Sequence, residues 1–195
     1  MAVVMKGFME LMHELIEKLA AQQDPGISES LTARAKIYAA RIRLQHVVDQ
    51  ADGLDAIREI AANLIGCEQL AVYKVDHSAA ALWLYWSFGI DPNQYAVLDA
   101  VKNPNLKEVL TGSIVFAAGD RSRNLLAVED HVSAIVPIIV SDAVVAVIVL
   151  FRLLPQKTAF DVADRELCRV LSGSAGRAIT PPATKLTKGN SSARE

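Results

Sequence analysis

Few side chains in this chain are of a type that performs covalent chemistry. The thiols are Cys67 and Cys168, too few for a disulfide framework and too distant in sequence for a zinc knuckle. They read as buried structural thiols, with a redox pair as the sharper alternative. The histidines are His13, His46, His77 and His131, and no two have the i, i+4 spacing that sets two ligands on one helix face. No metal site is expected, and nothing here specifies a cofactor. An anionic or nucleotide ligand is the binding chemistry that one loop allows. Arg121, Arg123 and Asn124 fall in a polar loop from Gly119 to His131, and guanidinium groups make two-pronged contacts to phosphate. The favoured reading is a solvated loop whose charges are balanced by Asp120, Glu129 and Asp130. His131 closes that loop. Trp83 and Tyr85, two apart on one strand, share a face and either line a pocket or are covered by helices. Trp86 is expected on the other face, with Leu82, Leu84 and Phe88.

The elements that must position these groups can be read from composition and period. The chain has 195 residues, 52% hydrophobic, with 20 Lys+Arg against 22 Asp+Glu. That suits one domain with extensions, and the balanced charge argues against the broad basic footprint of a nucleic-acid binder. The segment most like a membrane span is Ala134 to Phe151, AIVPIIVSDAVVAVIVLF. Its Val and Ile content favours pleated structure, Ser141-Asp142 cuts it into two strand lengths, and Pro137 would break a helix. It is read as two buried antiparallel strands joined by a tight turn, in a cytoplasmic protein.

Met5, Phe8, Met12, Leu15 and Leu19 recur at spacings of 3, 4, 3 and 4, an apolar seam for a helix that pairs two copies in a homodimer. Asp24-Pro25-Gly26 ends it. A second helix is expected from about Ser30 to Gln50, with Leu31, Ala35, Tyr38 and Ile42 along its apolar face. Asp52 is expected to cap a third, with Leu54, Ile57, Ala61, Leu64 and Ile65 inward and Gly66 as its stop. Strands follow at Gln69–Asp76 and Ala80–Phe88, then a helical stretch between Gly89 and Gly112, a short strand at Ser113–Ala117, and the valine-rich hairpin. A last helix starts at about Asp161. The class is α+β: a central antiparallel sheet of five to six strands, with helices on one face and a loop and helix excursion on the other. The expected divisions are 1–26 (helix and linker), 30–179 (domain) and 180–195 (disordered tail).

This order resembles a GAF domain, within the wider GAF/PAS-like group of sheets. Three stretches carry the likeness: LWLYWSFG at Leu82–Gly89, LKEVLTGSIVF at Leu106–Phe116, and SAIVPIIVSDAVVAVIVL followed by FDVADRELCRVLSGSAGRAI. Where the family usually has glycine soon after the last hairpin turn, this chain has Val144, Val145 and Ala146, which leaves less room for a ligand.

The resemblance implies a sensory or regulatory module of signal transduction, without catalysis, acting through a small-molecule ligand, a signalling partner protein, or both. An interaction adaptor with a closed pocket is the alternative. A third is an enzyme of the same fold, the free methionine sulfoxide reductase. It works through several cysteines around the pocket, and the corresponding loops here carry none. Covalent bilin attachment is disfavoured for the same reason, because Gly89–His131 contains no thiol.

Overall fold

The computed structural model describes residues 25–117, 125, 126 and 131–180 of the chain, with side chains from residue 29. The seam at Met5, Phe8, Met12, Leu15 and Leu19 and the tail from residue 181 lie outside the described residues.

Three long helical stretches and six strands make up the fold. Helix α1 spans Pro25–Gln45 and α2 Gln50–Glu59, the latter running on as a π-helical turn over Ile60–Ile65. Strands β1 (Leu70–Asp76) and β2 (Ala81–Phe88) come next, then β3 (Val97–Asp99), helix α3 (Pro104–Leu110), β4 (Val115–Phe116), β5 (Ala134–Val140) and β6 (Ala143–Leu150). Helix α4 (Val162–Ser174) and the short α5 (Gly176–Ile179) close the domain. The strands form one antiparallel sheet in the order β3-β2-β1-β6-β5-β4.

The valine-rich segment is the expected hairpin. Ser141 and Asp142 hold φ of 50° and 63°, the doubly left-handed turn whose twist matches that of the strands it joins. Strand β3 was not expected, since the stretch around it reads as helical. Its three residues, Val-Leu-Asp, are too few to show a period, and they pair with Ala81, Leu82 and Trp83 on β2.

The helix ends correct two expectations: α1 runs over Pro25–Gln45 rather than from about Ser30 to Gln50, and the cap of α2 is not Asp52. Helix α2 is capped by Asp49, whose carboxylate accepts from the Asp52 N–H at 2.9 Å, so Asp52 sits inside the first turn. Gly66 does stop the π turn, at φ 80°, where a side chain would be strained. At Asp161 the expected start holds: Asp161 and Asp164 form a reciprocal capping box, each carboxylate accepting the other's backbone N–H. Helix α1 presents a different face from the expected one. Ala39, Ala40 and Leu44 are buried, whereas Leu31 and Tyr38 are 40% and 57% exposed.

Each face of the sheet carries its own core. On the helical side, Leu70, Val72, Val136, Ile138, Ile148 and Leu150 pack against α1, α2, the π turn and α4. Gly53 belongs here because a Cβ on it would lie 2.5 Å from Ala178, so α2 and α5 approach backbone to backbone. On the other side, Ala71, Tyr73, Leu82, Ile135, Val147 and Val149 pack against the residues between β2 and β5.

Two bulges decide which side chains face which core. The β1–β2 register runs Val72↔Trp86 and then Tyr73↔Leu84, leaving Tyr85 as an extra residue. The β5–β6 register does the same at Val145. Each bulge reverses the in-out alternation of its strand. Trp86 therefore does not lie with Leu82 and Leu84. It faces the helical core beside Tyr85, while Leu82 and Leu84 face the excursion.

Candidate functional site

The excursion-side core is built on the central strands, where no edge strain or solvent disturbs it. Tyr73 on β1 is flanked by Val147 on β6 and Leu84 on β2. Above the sheet, Tyr95, Leu98 and Ala100 come from the β2–α3 connection, Leu106 and Val109 from α3, and Leu125 and Leu126 from the segment beyond β4. The Tyr95 and Phe151 rings meet at a centroid distance of 5.2 Å and a tilt of 57°, a favourable edge-leaning aromatic contact.

Local chemistry fixes the lid of this core. Asn103 caps α3, accepting from the Asn105 and Leu106 N–H groups, and Pro104 takes the first helical position, where its missing N–H costs nothing. The Asn103 and Asn105 amides both donate to the Leu125 carbonyl, at 3.0 and 2.9 Å, which ties α3 to the segment that follows β4.

Within this apolar surround lies the Tyr73 hydroxyl. The residue is fully buried, and among the described residues its oxygen has no hydrogen-bond partner. Burial, aided by the neighbouring Tyr95 phenol, pushes its pKa well above the ordinary tyrosine value. It therefore stays neutral, able both to donate and to accept one hydrogen bond. Leaving such a group unpaired costs on the order of 1–3 kcal/mol, and native cores contain few of them. A ligand atom able to pair with a phenol, a carbonyl or carboxylate oxygen for example, would remove that cost.

The residues singled out from sequence are not gathered here. Trp83 pairs with Lys74 on the helix-side face of β2 and is 53% exposed. Tyr85 packs against the helical core, with the Lys74 ammonium 3.8 Å from its ring centroid. His131 is exposed just before β5. Arg121, Arg123 and Asn124 lie outside the described residues. The structure instead brings together Tyr73, Tyr95 and Phe151. Tyr73 carried a usable signal: it is the tyrosine at the centre of QLAVYKVD, on the same side as Ala71 and Val75. Tyr95 and Phe151 carried none, lying in or next to segments without a period.

The thiols are on the far side of the sheet. Cys67 donates to the Gln69 carbonyl at 3.1 Å, and burial raises its pKa to about 11. Cys168, inside α4, is raised to about 12, chiefly by burial, with Asp164 adding to it. Both are protonated at neutral pH, the unreactive form. Among the described residues, no three His, Cys, Asp or Glu side chains are placed to hold a metal, and no helix is long and apolar enough to cross a membrane.

Comparison with solved structures identifies the architecture. The GAF domain of an Acinetobacter phosphoenolpyruvate-protein phosphotransferase superposes with a TM-score of 0.54 at 19% identity, over 73% of this chain and 92% of that one. The GAF domain of the Coxiella burnetii phosphoenolpyruvate-protein phosphotransferase gives 0.57 at 12% identity, over 75% and 92%. Free methionine-R-sulfoxide reductase from Neisseria meningitidis, in complex with its substrate, gives 0.55 at 16% identity, over 75% and 89%. No protein-family model matches the chain, and no curated protein matches it in sequence. The fold is that of a GAF domain.

Proposed function

We propose that this GAF-like domain is a non-catalytic sensory or regulatory module that reads a small polar ligand on the excursion side of its sheet and passes the result to a partner protein. The observation that carries the reading is the Tyr73 hydroxyl, buried and unpaired in the core where the excursion meets the central strands. Absence of catalysis is supported by the thiols, both buried behind the opposite face and both shifted toward the neutral form. That placement also weighs against thiol-based sulfoxide reduction.

A thermal-shift screen with nucleotides, amino acids, 2-oxoacids and haem tests the proposal, because a ligand that binds only the folded state raises Tm by mass action. The expected result is a saturable shift for at least one compound, lost in Tyr73→Phe. A flat response across the screen, with the protein folded, would reject the sensor.

A flat response would favour the second reading, an adaptor whose pocket has closed. Of the residues that stand where the family usually has glycine, Val144 is buried on the excursion side near Tyr73 and Ile135. There it takes space a glycine would leave open, while Val145 and Ala146 face the helical core.

A further inference from the structure

Between α1, α4 and the β5–β6 turn lies an open groove of about 570 Å³. Leu44, Ile139 and Val140 give it an apolar floor, and Gln45, Ser174 and Arg177 stand exposed at its rim. A second hollow of about 320 Å³ adjoins it, sharing Gln45 and Ser174 and adding Arg41 and Arg169. Three exposed arginines therefore border one groove. Among the described residues that line it, Glu166 is the one acid, 3.8 Å from Arg41 and 3.0 Å from Arg169. A single carboxylate leaves the groove with an excess of positive charge.

Gly173 is a second sign that something occupies it. It lies within α4 and lines the groove, and a Cβ placed on it would meet nothing within 4 Å. Packing therefore gives no reason for glycine there, although alanine would make the steadier helix. The close approach of a bound chain would give one.

We propose that this groove docks an acidic segment of a partner protein, its apolar side chains seated between carboxylates that reach Arg169 and Arg177. Those arginines are eight residues apart along α4 and α5. That is about 12 Å at helical rise, which about four residues of extended peptide span. An open groove suits a polypeptide better than a small molecule, whose sites enclose most of the ligand. The chain's own continuation has the wrong sign: residues 181–195, which begin beside Thr180 at the rim, carry Lys185, Lys188 and Arg194 against Glu195. The partner is the one the proposed function calls for, and only for its existence does the inference rest on that reading. The groove contains none of Tyr73, Tyr95 and Phe151.

Fluorescence anisotropy with the full-length protein tests it, using a labelled peptide of three leucines flanked on each side by two glutamates. Saturable binding is expected, weaker as salt rises. Affinity should fall about tenfold in Arg169→Glu and in Arg177→Glu, and hold in Arg152→Glu, an exposed arginine outside the groove. The same peptide with glutamine for glutamate should not bind. Gly173→Leu, folded by circular dichroism, should lose binding, whereas Gly173→Ala should keep it and raise Tm by about 2 °C. No saturable binding to the folded parent would overturn the proposal. So would an equal loss in Arg152→Glu, or tighter binding of a thymidine oligonucleotide. A fall in mass by light scattering in Arg169→Glu would overturn it in favour of a second copy. Peptide binding beside a flat ligand screen would reject the Tyr73 site and leave the groove standing.

Discussion

Each face of the sheet buries an aliphatic core, but the two treat polar groups differently. On the helical side, among the described residues, no buried side-chain N or O atom lacks a partner. The Lys157 ammonium donates to the buried Asp164 carboxylate at 2.6 Å and to the Ile65 carbonyl, so it ties the end of the π turn to the start of α4. Arg43 bridges Asp52 and Glu59, each at 2.7 Å, and locks α1 to α2. On the excursion side the Tyr73 hydroxyl stands without a partner among the described residues. A face in which polar groups are paired holds one geometry; a face with one unpaired group holds free energy that a ligand can recover. In the proposed function the helical side is the frame, and the excursion side is where a ligand acts.

Four variants break or sharpen that contrast. Phe151→Ala should have the largest effect, about 4 kcal/mol lost in urea denaturation, because a fully buried aromatic leaves a cavity against Tyr95 and the strands. A loss below about 1 kcal/mol would mean that the excursion collapses freely and is not a packed core. Asp164→Ala should cost about 3 kcal/mol by the same measurement, since it strands the partly buried Lys157 ammonium and removes half of the capping box. If that variant proves as stable as the parent, the helical side does not depend on its pairing. Tyr73→Phe should go the other way and raise stability by about 1 kcal/mol in the ligand-free protein, by deleting an unanswered group. A drop instead would show that the hydroxyl already has a partner.

The smallest effect concerns acid. Burial on its own would raise the Asp52 pKa, but the hydrogen bond from Arg43, the Val48 N–H and the Arg43 charge together hold it below the ordinary range. A carboxylate with a depressed folded-state pKa contributes stability above its unfolded value of about 3.9 and loses it as pH falls through the folded value. Denaturation midpoints for the parent and Asp52→Asn should therefore differ between pH 5 and 7 and converge as the pH falls below about 4. A gap that persists at the acid end would assign the difference to packing.

What the sequence disclosed depended on how local the cause was. The hairpin at Ala134–Leu150 was legible because its turn residues and its β-branched runs are adjacent. Gly66 and the Asp161 cap were legible because each is a single residue acting on its own helix end. The division of β2 between the two faces was not, because strict alternation predicts one outcome and a single inserted residue at Tyr85 reverses it. Nor was the buried face of α1: its Leu31–Ile42 stripe is the more conspicuous in sequence, yet the domain packs the smaller side chains of Ala39 and Ala40, which let helices come close. The candidate site was least legible. That Tyr73 is buried could be expected of a central strand; that its hydroxyl is unanswered depends on neighbours far away in the chain.

The bulge at Tyr85 also has a spectroscopic consequence. The two tryptophans of this protein, Trp83 and Trp86, both lie on β2 and both point to its helix-side face, one largely in water and one partly packed. Intrinsic tryptophan emission therefore reports on one strand near the sheet edge and its contact with the helical side, and not on the excursion-side core. If that edge frays before the rest, fluorescence will record an earlier transition than far-ultraviolet circular dichroism. Coincidence of the two curves would show that the edge unfolds together with the whole domain.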